Sequence, residues 1–165
     1  MAWAKLTTKT LTSAGDTITT DTFTTKKFNI LMAHVPFVTS DIGLYMTFNS
    51  NTNNVYAYRD SADGSADTTT TTNSKLPMSG GTAGTDNADM FAIGYVLNIS
   101  GQEKLYIGFS VSYGDGSGAT NAPHRSERVG KFVPSPDADI TSVTLTNIDV
   151  GDFATDSNLS VLGTD

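Results

Sequence analysis

The strictest pattern in the chain lies at residues 104–113. There Leu105, Ile107, Phe109, Val111 and Tyr113 fall on one face of a two-residue period, and Tyr106, Gly108, Ser110 and Ser112 fall on the other. Successive side chains of a strand point to opposite faces, so five apolar residues at this spacing specify a β-strand. No window of the chain holds a helical period for long. Residues 90–99 precede this strand, and Gly101 supplies a hairpin connection between the two.

The same reading extends along the chain. Residues 28–35 are apolar on both faces (Phe28, Ile30 and Met32 against Leu31 and Ala33), as in a central strand, and Pro36 ends the pairing because it has no amide to donate. Leu44, Met46 and Phe48 alternate within 42–48, and Val55, Tyr56 and Tyr58 follow. Thr17, Ile18 and Thr19 form a short strand after a turn at Ala14, Gly15 and Asp16. Near the C-terminus, Val143 and Leu145 mark one strand and Leu159 and Val161 another, which is expected to close a sheet. Val150, Gly151 and Asp152 form the turn between them, with Phe153 as an anchor. Trp3 is expected to pack near the end of the sandwich. Eight to ten strands emerge. The expected architecture is all-β: an antiparallel two-sheet jelly-roll-like sandwich, one domain over 1–165, with long polar loops at about 60–89 and 114–127. A short strand through Val129 and Val133 follows the second loop.

Composition narrows the function. A chain of 165 residues can bury a core of its own. Charged residues make up 16%, below the ~25% of ordinary globular domains, so hydroxyls and amides carry much of the exterior, which suits faces covered by neighbouring subunits. The net charge of −7 argues against nucleic acid as a partner, since phosphate binding needs a clustered basic surface. Cysteine is absent, which excludes disulfides and thiolate chemistry. No apolar run reads as a signal peptide or approaches the ~20 residues of a membrane span, so synthesis in the cytosol is expected.

Candidate sites compete with plainer readings. His34 and His124 are the two histidines, and neither sits in a pattern that specifies a catalytic triad. Asp60, Asp63 and Asp67 have carboxylate intervals that a calcium loop could use, but they lack the ligand spacing and closing Glu of an EF-hand, and Asp-Gly-Ser loops are ordinary turns. Asp86, Asp89, Asp115, Asp137 and Asp139 read as solvated turns. The glycine-rich run at 114–118 follows a strand but has no lysine or helix after it to hold a phosphate. Trp3, Tyr45, Tyr56, Tyr58, Tyr95, Tyr106 and Tyr113 form a candidate sugar-stacking set, with Tyr56 and Tyr58 foremost; core or subunit-interface packing is favoured over it. Arg125, Arg128 and Lys131, with Glu127 between them, read as a basic loop, either exposed charge or a dock for an acidic neighbour. No catalytic, cofactor or metal residue is expected.

The segments WAKLT (3–7), LTSAGDTI (11–18) and FNILM (28–32) resemble small β-sandwich proteins of tailed-phage virions. So do FNSN (48–51) and YAYR (56–59) in the middle section, and NAPHR (121–125), RVGKF (128–132) and ITSVTLTN (140–147) later on. The ending, GDFA (151–154) and SNLSVLG (157–163), fits the same pattern. The likeness spans most of the chain and matches the 60–89 region least. It implies a non-enzymatic virion structural protein, a capsid decoration protein or a head or tail appendage subunit. Such a protein self-associates, often as a trimer, and docks on other virion proteins such as the major capsid protein. The alternatives are a carbohydrate-binding module of a receptor-binding appendage, contacting surface glycans, and a subunit of a non-viral extracellular filament.

Overall fold

The computed structural model describes residues 2–36, 41–79, 89–112, 118–120, 122–135 and 137–165. Among these, twelve strands appear in chain order: β1 (Ala4–Thr10), β2 (Thr17–Thr19), β3 (Phe28–Val35), β4 (Leu44–Phe48), β5 (Tyr56–Ala62), β6 (Thr68–Asn73), β7 (Leu76–Pro77), β8 (Met90–Leu97), β9 (Lys104–Ser112), β10 (His124–Phe132), β11 (Val143–Asn147) and β12 (Asn158–Thr164). They form an antiparallel two-sheet sandwich with unequal layers. The large sheet runs β1-β12-β3-β8-β9-β10-β5-β6 and the small one β2-β11-β4-β7.

The core lies between the layers. Ile18, Leu44, Met46, Phe48, Val143 and Leu145 of the small sheet meet Leu31, Val35, Val96, Phe132, Leu159 and Val161 of the large one, and all are buried. At one end Phe132 stacks on Tyr56 with centroids 4.9 Å apart and tilts against Phe48 at 5.5 Å, an offset geometry that aromatic quadrupoles favour. The Tyr56 hydroxyl accepts from the Phe48 amide at 2.9 Å and donates to the Asn51 carbonyl at 3.0 Å, so its buried polar end is satisfied.

Three asparagines hold the connections. Asn98 donates to the Lys26 and Ile140 carbonyls and accepts from the Ile140 amide. Asn49 accepts from the Thr141 and Ser142 amides and donates to the Asp139 carbonyl. Asn147 accepts from the Gly43 and Asp149 amides and donates to the Gly151 carbonyl. Backbone groups that leave the sheets under cover need such partners, because an unpaired buried amide is costly.

Several expectations held. β3 lies between β12 and β8 and ends before Pro36. Gly101, at φ 70°, sits in the connection between β8 and β9. Phe153 is fully buried and bridges Gly15. Others need correction. The last strand does not form the sheet edge: β12 sits between β3 and the N-terminal β1, which is the outer strand. The polar stretch from Asp60 is largely ordered structure rather than loop. β5 continues to Ala62, Asp63 and Gly64 turn with φ of 50° and 79°, and the threonines return as β6. Threonine packs well on a pleated surface, and that outweighs the absence of apolar residues. Leu76 and Met78, inside the same stretch, are fully buried core residues. Arg125 and Lys131 are likewise on a strand, β10, and only 118–120 and 122–123 of the preceding loop are described.

Candidate assembly surface

The outer face of the large sheet is apolar across five strands. Register places Tyr95 opposite Ile107 and Ile93 opposite Phe109 between β8 and β9. Ile30 lies opposite Tyr95, Leu162 opposite Ile30, and Val129 opposite Ile107. One row perpendicular to the strands therefore reads Leu162, Ile30, Tyr95, Ile107, Val129. Leu105, Ile107, Phe109 and Val111 of β9 are 49%, 50%, 46% and 40% exposed, and Phe91, Tyr95, Val129 and Trp3 fall in the same range. With about 200 Å² for each of the four aromatic side chains and about 100 Å² for each aliphatic one, these eight leave on the order of 550 Å² of side chain in water. That lies at the top of the range for the largest patch of a typical monomer, about 300–600 Å², a size that is often functional.

The strongest apolar alternation in the sequence thus turns away from the core. The inner face of β8 and β9 explains why. Tyr106 is 2% exposed and fills the space over two glycines: a Cβ on Gly94 would meet its ring at 2.5 Å, and Gly108 is closer still. Lys104, fully buried, donates to the Ile99 carbonyl at 2.5 Å and pairs with Asp139 at 3.3 Å. Ser110, Ser112 and Arg128 complete this inner surface. The Tyr106 hydroxyl and the Arg128 Nε and Nη1 are buried with no hydrogen-bond partner among the described residues. Burial raises the Tyr106 phenol above its ordinary value and lowers the Arg128 guanidinium below its own.

Depressions mark the apolar face, one of about 210 Å³ at the end near His34, Phe91 and Val111. A groove of about 290 Å³ lies between Trp3, Phe28, Tyr95, Leu105 and Ile107. Another of about 220 Å³ lies against the β10–β5 flank, bounded by Arg59, Asp67, Phe109, Glu127 and Val129. Trp3 is therefore a surface residue of this face, 46% exposed, and not part of the buried core.

The residues singled out in the sequence are dispersed. His124 Nδ1 lies 2.7 Å from Asp63, whose carboxylate also accepts from the Arg125 amide at 2.8 Å. The Arg125 amide, more than His124, holds the Asp63 carboxyl below its usual range. Asp60 accepts from Thr68 at 2.5 Å. Asp60 is thus engaged within the β5–β6 hairpin and Asp63 with the start of β10, so the two carboxylates have separate partners. His34 is exposed at one end of the apolar face, opposite Phe91. Tyr56 is core, which removes it from the sugar-stacking set, while Tyr58 is half-buried. Arg125 pairs with Glu127 and Lys131 with Glu103 at 3.0 Å, whereas Arg128 points inward. Asp139 is the partner of Lys104. Asp86, Asp115 and Tyr113 lie outside the described residues, as does most of the glycine run at 114–118.

Among the described residues no three His, Asp or Glu side chains gather so as to hold a metal ion, and no helix is long and apolar enough to cross a membrane. Comparison with protein-family models and with curated proteins found no match to this chain.

Proposed function

We propose that this protein is a non-enzymatic structural subunit of a virus particle, a capsid decoration protein or an appendage subunit, that self-associates and docks on neighbouring virion proteins. The observation that carries the reading is the apolar outer face of the large sheet. A soluble chain gains nothing from leaving Phe91, Tyr95, Ile107 and Phe109 in water; a subunit gains by burying them against another. The low charged fraction and the segments that resemble virion proteins support the same reading. The test is density-gradient fractionation of lysate from the organism that makes the chain. The protein is expected to band with nucleic-acid-containing particles; recovery only in the free-protein fractions would contradict a virion role.

One observation favours a carbohydrate-binding role instead: Trp3 and Tyr95 flank the 290 Å³ groove. Its walls are mostly apolar, whereas a sugar needs hydrogen-bonding partners beside the stacking ring, so this reading ranks second. A glycan array in which binding disappears on Trp3→Ala would promote it.

A further inference from the structure

We infer that the occupant of the apolar face is a second copy of this chain, packed sheet against sheet about a two-fold axis near Tyr95 and Ile107. The inference rests on reading this face as an assembly surface. Three features select a second copy. The first is area: the ~550 Å² left by the eight exposed side chains of the face is the larger part of the ~800 Å² that each partner contributes to a standard stable interface, before any rim is counted.

The second is shape. The centre of the face is a pleated surface of alternating side chains from β3, β8, β9 and β10, and two such surfaces interdigitate at about 10 Å. The third is charge. The chain carries −7, so two copies repel over most of their surface. On the β10–β5 flank, however, Arg59, Arg125 and Lys131 stand interspersed with Asp63, Asp67, Glu103 and Glu127. That flank presents groups of both signs to a copy of itself, and a two-fold turn lets its positive groups seek the copy's negative ones.

A single patch that serves both partners is an isologous interface, which closes at two copies; a three-subunit ring is heterologous. The absence of cysteine makes the distinction easy to read. Single-cysteine variants Tyr95→Cys, Ile107→Cys and Phe109→Cys, on exposed positions that do not support the core, are oxidised at micromolar concentration. At least one is expected to convert to a disulfide-linked dimer that grows no further. Val150→Cys, at a 92% exposed position outside this face, is expected to remain largely unlinked. Before oxidation, each variant and the parent chain should sediment at twice the 17.4 kDa chain mass. A parent mass of three chains, with none of the three face variants cross-linking, would overturn the two-fold pairing while leaving an assembly role standing. A parent chain that is monomeric throughout would remove both.

Discussion

The ring of Tyr106 occupies the space that a side chain on Gly108 would need. Gly94, opposite Gly108 on β8, leaves room for the same ring. A single large residue over two glycines thus builds the inner surface of β8 and β9. The price is paid by Gly108, which can carry no substituent. Gly108→Ala is expected to destabilise the fold by about 1–3 kcal/mol, the range for overpacking a tight core. Tyr106→Phe is expected to be neutral or stabilising, because it removes a buried hydroxyl that has no partner among the described residues. Urea midpoints check both. A loss above ~1 kcal/mol in Tyr106→Phe would mean that the hydroxyl is bonded after all.

Lys104 is buried with its ammonium held by the Ile99 carbonyl and Asp139. Asp139 keeps about a third of its side chain in water, so the pair is screened on one side. Asp139→Ala leaves the ammonium buried without a counter-charge and is expected to cost about 2 kcal/mol. Lys104→Met with Asp139→Asn should recover part of that loss. The two variants are compared by denaturant unfolding, and an Asp139→Ala midpoint equal to that of the parent would contradict the assignment.

Alkaline pH should unfold the sandwich in a defined window. Burial raises the Tyr56 phenol to about 12, and the Phe48 amide only partly offsets this. In the unfolded chain the same phenol ionises near 10. Between these values the unfolded state binds fewer protons, so stability is intact below pH 10 and falls by about 2 kcal/mol as pH rises toward 12. Tyr106 acts in the same direction. Urea unfolding at pH 9 and pH 11.5 should show the decline, with a shallower one in Tyr56→Phe; identical slopes for the two proteins would sink the assignment.

The fold class was legible because strand periodicity and turn residues are local. Leu105 to Val111 announce β9, and Pro36 announces the end of β3. Which face of a strand meets the core is not local. A two-residue period places Phe109 and Ser110 on opposite sides without saying which side is covered, and here the serine side is. The signal available was a weak one: Tyr106 and Tyr95 each have a glycine two residues away or next in sequence, and Gly94 and Gly108 face each other in register. β6 was missed, and β10 was read only as a short strand through Val129 and Val133, for a different reason. Five threonines, and Arg and Glu alternating with Ser and Gly, carry no apolar contrast for a period to act on. The hydrogen bonds of Asn49, Asn98 and Asn147 join segments up to 104 residues apart, and nothing in the sequence pairs them.

Sedimentation equilibrium of the parent chain and Ile107→Asp over a micromolar concentration series tests the outer face most directly. Ile107 is half exposed and stands in the middle of the apolar row, so the charge should leave the subunit folded and spoil only its association. The expected result is an oligomer for the parent and a 17.4 kDa monomer for Ile107→Asp, with the same circular dichroism. A parent chain that stays monomeric, or an oligomer indifferent to Ile107→Asp, would contradict the role assigned to this face.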